Sequence, residues 1–311
     1  MAKKEKAVSP PKKKSKMKTS NWQFWAIIAL PVIYAVVFAY IPMGGIIIAF
    51  KDYSIRKGIL GSDWVGLKYF VQFLTSPSSV TVIKNTVILG IYTLIVNFPI
   101  PILLAIGINE VRNIKFKKTV QMVTYAPYFI SVVVLVGMMM QMMDLRTGIL
   151  NHLLELVGID AINFFGNAKL FRHLYVWSGV WQTMGYNSII YVAALAGVSP
   201  ELQEAAIVDG ASRLKRILHV DIPAILPTII IMLIFNCANV VSIGMDKIYL
   251  MQNSLNTSVS EVISTFVYKI GVVNANFSFS TAAGLFQSLV SFILLVAVNQ
   301  ICKKITETSL W

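Results

Sequence analysis

The chain has 311 residues, of which 56% are hydrophobic and only 13% are charged, whereas a soluble globular domain has about 25% charged residues. This composition excludes an ordinary soluble domain and predicts a membrane protein. The formal net charge is +13, but the basic residues flank apolar runs, so the charge does not indicate binding to nucleic acid.

The N-terminal segment at 1–20 is rich in lysine, proline and serine, which predicts a disordered basic tail. An apolar run at 21–50 follows it. A basic stretch before an apolar one resembles a signal peptide, with a weak cleavage site between Val37 and Ala39, but this run is longer than the apolar region of a signal. We therefore expect a retained anchor and a transmembrane domain over 21–311.

Five further uncharged, apolar runs follow along the chain. Each meets the length of about 20 residues that a helix needs to cross a bilayer. Lipid offers no hydrogen-bond partners to the backbone, so helices are expected there. The sequence predicts an all-α polytopic membrane protein with six transmembrane helices, and the five further runs are 85–108, 119–143, 174–198, 224–245 and 281–302.

The distribution of lysine and arginine predicts the orientation of the chain. With the N-terminal tail inside, the inner segments hold 17 of the 27 basic residues and the outer segments hold the other 10. Because inner loops of membrane proteins carry the excess of basic residues, both termini are expected in the cytoplasm.

Motifs of soluble enzymes and metal sites are missing from the sequence. Cys237 and Cys302 form no CxxC pair, and His152, His173 and His219 form no HExxH. Neither a GxSxG motif nor a GxxxxGK[ST] phosphate loop occurs. We therefore expect no catalytic residue, bound cofactor or metal in this chain, and an intramembrane hydrolase or glycosyltransferase has no support.

A charged stretch, "ELQEAAIVDGASRLKRILHVDIPAILP", separates the fourth and fifth runs. Ser199 and Pro200 favour a helix start, and Gly210 with Ala211 interrupts the pattern. A second short helix then ends at Pro223, and the next proline opens the fifth span. Two short amphipathic helices joined at a bend suit either a surface of anionic lipid or a cytosolic partner protein, and composition leaves both open.

This loop resembles the EAA signature of permease subunits of binding-protein-dependent ABC importers. The resemblance rests on the spacing from Glu-Ala-Ala to glycine and on the Ile-Pro pair that follows. It covers about residues 80–300, and Ile217 departs from it because relatives often have an aromatic residue there. The matching residues are Glu204, Ala205, Ala206, Asp209, Gly210, Ala211, Ile222, Pro223 and Pro227.

The resemblance implies a type I ABC importer permease fold in the bacterial cytoplasmic membrane. It implies that the loop at 199–223 docks in a cleft of a separate ATPase dimer, which would use ATP and magnesium. It also implies a second homologous permease subunit and an external solute-binding protein as partners. The segments "PVIYAVVFAYIPMGGIIIAFKDY" and "TETSLW" resemble the subgroup that takes up oligosaccharides or polysaccharide fragments.

Polar and aromatic side chains within two spans are candidates for the substrate path. Trp181, Gln182 and Asn187 lie in the fourth span, and Asn236 and Asn239 share one helix face in the fifth. The amides either bond to neighbouring helices or line a wet cavity that binds sugar hydroxyls, and the sequence leaves both open.

The rival transport mechanism is an ion-coupled carrier, which has acidic or basic residues within the membrane. All 14 acidic residues of this chain lie in loops or at span ends. This argues against ion coupling and predicts a neutral solute, either a sugar or another uncharged molecule.

Overall fold

The computed structural model describes residues 22–306 and 308–311, so the predicted tail at 1–20 lies outside the described residues. The described part is mainly helical. The α-helices are α1 Trp22–Ala35, α2 Ile41–Met43, α3 Gly58–Gly61, α4 Lys68–Thr75, α5 Pro77–Asn97, α6 Pro99–Glu110, α7 Ile114–Tyr125, α8 Val132–Met142, α9 Ile149–Leu156, α10 Ala168–Ala196, α11 Pro200–Val208, α12 Arg213–Arg216, α13 Ile222–Ala238, α14 Met245–Met251, α15 Thr257–Ser260, α16 Ile263–Tyr268 and α17 Phe277–Thr306.

Short turns of other helix types join several of these elements. The π-helical turns are Val36–Tyr40, Ile217–Asp221 and Lys269–Val273, and the 3-10 segments are Gly44–Phe50 and Ala126–Phe129.

The chain divides into two compact units, whose described residues are 22–46 and 47–311 without 307. In the first unit, no residue of α1 is buried. The helical run Trp22–Phe50 has 29 residues and a mean hydropathy of 2.3, so it is long and apolar enough to cross a membrane. The helix predicted over the first apolar run is thus confirmed.

A small hairpin opens the second unit. Strands β1 Lys51–Asp52 and β2 Asp63–Trp64 pair antiparallel, with Lys51 opposite Trp64. The Tyr69 hydroxyl donates a hydrogen bond of 2.7 Å to the Asp52 carboxylate. Burial, aided by this bond, raises the pKa of Tyr69 to about 12. The contact fixes α4 against the hairpin.

The prediction of six spans is not confirmed. Within the described residues, four helical runs are long and apolar enough to cross a membrane, or five if a bent pair counts as one span. The bent pair is Ile114–Phe129 with Val132–Met142, whose axes differ by 97°. The four straight runs are Trp22–Phe50, Pro77–Glu110, Arg213–Ala238 and Phe277–Thr306.

The bend replaces the straight helix expected at 119–143. Pro127 lacks an amide proton and favours a break, and Ser131 caps α8 by accepting a bond of 3.3 Å from the Val134 amide. The carbonyl of Ile130 is left without a helical partner at the break, and the Gln182 side chain donates to it at 2.9 Å. The sequence therefore specifies the bend through one proline and one cap.

Helix α10 is the central element of the second unit and packs against α5, α6, α7 and α13. It has 29 residues, yet it is not among the apolar runs above because polar side chains interrupt it. Gly185 lets α7 approach closely, since a β carbon there would collide with the Thr124 carbonyl. A long helix with polar groups on its packed faces is suited to forming the wall of a polar cavity.

The second short helix predicted in the charged loop does not end at Pro223. Instead α12, the π-helical turn and α13 form one continuous run, Arg213–Ala238. Proline would clash with the carbonyl four residues before it in a regular α-helix. Here the turn before Pro223 is wider, and the Ile222 amide donates to the Ile217 carbonyl five residues back. The predicted helix stop was therefore wrong.

Candidate coupling loop and substrate cavity

The loop after α10 begins with a well-capped helix. Ser199 accepts a bond of 3.3 Å from the Glu201 amide, and Pro200 occupies the first turn of α11. The acidic side chain of Glu201 lies near the positive end of the helix dipole. The helix start that the sequence predicts is thus present.

Gly210 ends α11 in a left-handed conformation, with a φ of +76°. The Ala211 amide donates to the Ala206 carbonyl at 2.9 Å, and the Gly210 amide donates to the Ile207 carbonyl at 3.0 Å. This pair of bonds is a Schellman motif, which favours glycine because other residues are strained at this position. Ser212 then caps α12. The two short helices therefore meet at a sharp, defined corner.

The signature residues surround a small basic hollow beside this corner. Glu204, Ala205, Asp209 and Gly210 are exposed, whereas Ala206 and Ala211 are half-buried. The hollow has a volume of about 310 Å³ and is lined by Ala206, Ala211, Lys215, Arg216, His219 and Val220. Small side chains allow a partner backbone to approach, and the basic rim favours an acidic partner surface.

A hydrogen-bond bridge with a buried carboxylate ties α11 to the π-helical turn that precedes α13. The Gln203 amide donates to the Asp221 carboxylate at 2.6 Å, and Arg216 donates to the Gln203 carbonyl oxygen at 3.3 Å. Asp221 is only 1% exposed. Sequence reasoning missed this bridge, because Gln203 and Asp221 are 18 residues apart on different helices and no local pattern joins them.

A polar cavity of about 410 Å³ lies between α5, α6, α10 and α13. It contains three of the five residues predicted for the substrate path, namely Asn187, Asn236 and Asn239. The lining residues are Gly90, Thr93, Leu94, Asn97, Phe98, Pro101, Tyr175, Asn187, Tyr191, Met232, Phe235, Asn236, Asn239, Val240, Ser242, Ile243 and Gly244. Amide, hydroxyl and aromatic groups thus converge on one space.

The amides of Asn236 and Asn239 are satisfied within their own helix. Asn236 donates to the Met232 carbonyl at 2.8 Å, and Asn239 donates to the Phe235 carbonyl at 3.0 Å. Within the described part of the chain, neither side chain bonds to a neighbouring helix. Their side-chain oxygens therefore keep acceptor capacity for a molecule in the cavity.

The other two predicted path residues lie elsewhere. Gln182 is buried and turns toward the helix break at Ile130. Trp181 lines a second, almost wholly apolar cavity of about 560 Å³, together with Trp177 and the methionines that end α8. The structure thus separates a polar space from an apolar one, whereas the sequence placed these residues on one path.

Several lining residues escaped the sequence reasoning. Asn97 is an amide in the second predicted span, and Thr93 lies four residues before it on the same helix face. Their polarity within an apolar run was an available signal. Gly90 gave no such signal, yet a β carbon there would collide with the Val240 carbonyl, so this glycine sets the width of the cavity wall.

Among the described residues, no group of three or more histidine, cysteine, aspartate or glutamate side chains could hold a metal ion.

Comparison with known proteins gives consistent matches over most of the chain. A family model described as the inner membrane component of binding-protein-dependent transport systems matches residues 97–307. The polygalacturonan/rhamnogalacturonan transport system permease protein YteP of Bacillus subtilis is 40% identical over 301 residues, which cover 96% of this chain and 94% of YteP. The arabinooligosaccharides transport system permease protein AraP of the same species is 27% identical over 246 residues, which cover 78% of this chain and 76% of AraP.

Solved structures agree with this relationship. One chain of a bacterial ABC transporter involved in the import of the acidic polysaccharide alginate superposes with a TM-score of 0.86 at 34% identity, covering 92% of this chain and 96% of that one. A second match is to the bacterial alginate ABC transporter in complex with an alginate pentasaccharide-bound periplasmic protein. It has a TM-score of 0.86 and 33% sequence identity, and it covers 93% of this chain and 97% of that one.

Proposed function

The chain belongs to the family of inner membrane components of binding-protein-dependent transport systems, and we propose that it takes up an oligosaccharide or polysaccharide fragment. It is a multi-pass permease of an ABC importer and not an enzyme. In the proposed cycle, an external solute-binding protein delivers the sugar, and a separate ATPase dimer hydrolyses ATP in the bacterial cytoplasm. A second homologous permease completes the membrane path.

One structural observation carries this proposal. The loop from Ser199 to Pro223 exposes most of its signature residues, and the Gln203 bridge connects it to the helix that supplies Asn236 and Asn239 to the polar cavity. A docking surface and a solute cavity are thus joined through one rigid element. That arrangement suits a transporter that draws its energy from a partner protein.

The saccharide class is supported by the substrates for which the relatives are named and by the cavity itself. YteP is named for polygalacturonan and rhamnogalacturonan and AraP for arabinooligosaccharides, and the transporter of the solved structure is involved in the import of alginate. The cavity offers amides and hydroxyls with aromatic rings nearby, which are the groups that bind sugar hydroxyls and pyranose faces. A volume of about 410 Å³ in a single chain would be enlarged by a second permease subunit.

The chain is proposed to transport sugar only in a heteromeric complex. It carries a single EAA loop, whereas the ATPase has two subunits, so a second permease would supply the other loop. Both termini are proposed to lie in the cytoplasm, on the side of that ATPase. The test is reconstitution of this chain in proteoliposomes with the ATPase, the binding protein and a candidate second permease. Sugar uptake should require all four components and ATP.

Two results would contradict the proposal. Uptake by this chain together with only the ATPase and binding protein would refute the heterodimer. Failure of a loaded binding protein to stimulate ATP hydrolysis in the complete complex, across neutral and acidic saccharides, would refute the sugar importer. A binding screen on the cognate external protein identifies the sugar.

A further inference from the structure

A lysine side chain is buried directly behind the wall of the polar cavity. Lys247, in α14, is 9% exposed, and its ammonium donates a hydrogen bond of 3.1 Å to the Tyr175 carbonyl. The same ammonium lies 5.0 Å from the centroid of the Tyr175 ring, in a cation–π arrangement. Tyr175 itself lines the cavity.

No carboxylate of the described chain neutralises this charge. The structure has four ion pairs within the described residues, and none of them includes Lys247. A buried ammonium is costly unless it is paired. A carbonyl oxygen and a ring face lower this cost but carry no full negative charge, so the positive potential reaches the surroundings.

The polar cavity adjoins this ammonium, because Tyr175, which accepts its hydrogen bond, is a lining residue. A β carbon at Gly179 would lie 3.5 Å from the Lys247 ammonium and 3.5 Å from the Asn97 side-chain amide. One methyl group would thus touch both, and Asn97 faces the cavity. Because position 179 is a glycine, no side chain separates the ammonium from the lining amide.

We propose that the cavity is selective for an acidic saccharide, whose carboxylate is attracted by Lys247 while the lining amides bind its hydroxyls. This inference rests on the proposed function and names the substrate class. It also replaces the neutral solute expected from the sequence. That expectation considered acidic residues within the spans, whereas Lys247 is basic and lies just beyond the predicted span at 224–245.

The test compares two cargoes that share a sugar backbone and differ in whether their carboxyl groups are charged. The complete complex is reconstituted with binding protein saturated by trigalacturonate or by its methyl ester, and uptake is measured. Lys247→Met should lower trigalacturonate uptake about tenfold or more, because the substitution removes the positive charge whose field attracts the carboxylate through the low-dielectric wall. Uptake of the methyl ester should change less than twofold. Lys247→Arg should retain trigalacturonate uptake, since it keeps the positive charge.

Two further variants provide a control and an alternative to Lys247→Met. Lys84→Met removes an exposed lysine on α5 outside the cavity lining and should leave both uptake rates unchanged. If Lys247→Met fails to assemble, Lys247→Gln keeps a donor for the Tyr175 carbonyl while removing the charge, and it should show the same selective loss.

The outcomes separate this inference from the proposed function. Equal loss of both cargoes in Lys247→Met, or a similar loss of trigalacturonate uptake in Lys247→Arg, would overturn the acidic specificity. A wild-type complex that imports neutral arabino-oligosaccharides but neither trigalacturonate nor trimannuronate would also overturn it, and the sugar importer would stand. ATP hydrolysis that responds to no loaded binding protein would instead overturn the proposed function.

Discussion

Gly210→Val tests the corner of the coupling loop with little other disturbance. The residue has a φ of +76°, and a β carbon built on it would meet no atom within 4 Å. A β carbon at this position therefore meets open space, and the main cost expected of the substitution is backbone strain. Placing a side chain in the left-handed region costs about 1–2 kcal/mol, and β-branched residues are among the least tolerated there.

That strain should disfavour the corner and change how α11 meets α12. A cost of about 1–2 kcal/mol changes a population ratio by about 5–30-fold. If docking requires the left-handed geometry of Gly210 between α11 and α12, saccharide uptake and cargo-stimulated ATP hydrolysis should fall by a similar factor. Insertion of the chain should persist, because the spans are untouched. Gly210→Asn should retain most activity, since asparagine tolerates the left-handed region.

Gly158 provides a matched control for this experiment. It follows α9 with a φ of +81°, and a β carbon there also meets nothing within 4 Å. Gly158→Val should therefore impose similar strain at a position outside the signature residues and leave coupling intact. Uptake at the wild-type rate by Gly210→Val would refute the role of the corner. Equal losses in both variants would show general destabilisation rather than coupling.

Four further substitutions test the cavity and the bridge. Asn236→Leu and Asn239→Leu should leave complex assembly intact and lower uptake, because these side chains bond only within their own helix in the described structure; reduced assembly in co-purification would contradict this. Gly90→Ala should collide with the Val240 carbonyl and destabilise the chain by about 1–3 kcal/mol, and an unchanged thermal transition in detergent would contradict the close contact. Gln203→Leu should leave a buried carboxylate without its donor, which costs about 1–3 kcal/mol, and should reduce ATPase-coupled uptake; full coupling in this variant would show that the bridge is dispensable.

The features that could be predicted from the sequence are those encoded over a few residues. The Ser-Pro pair at 199–200 specifies a helix start, and Gly210 specifies its end, because capping and left-handed geometry depend on local chemistry. Long apolar runs likewise specified helices. The loop signature pointed to the family through local spacing alone.

The features that escaped prediction depend on contacts between distant elements. Pro223 has a strong local preference to end a helix, yet a preceding π-helical turn accommodates it within one continuous run. Gln182 has the polarity of a cavity residue, but the carbonyl that it satisfies becomes free only when α7 and α8 separate at their bend. Lys247 lies outside every predicted span and is buried only because α14 returns to pack near α10.

The continuous run from Arg213 to Ala238 connects the loop to the cavity. It has 26 residues, which corresponds to a helix about 39 Å long. Near one end, Asp221 receives the bond from Gln203 on α11. Near the other, Asn236 lines the cavity, and Val240 just beyond the helix contacts Gly90 on the facing wall. In the proposed cycle, a displacement of α11 by a docked ATPase would pull on the anchored end of this run. If the run moved as a rigid body, its opposite end would shift against α5 and change the space in the cavity.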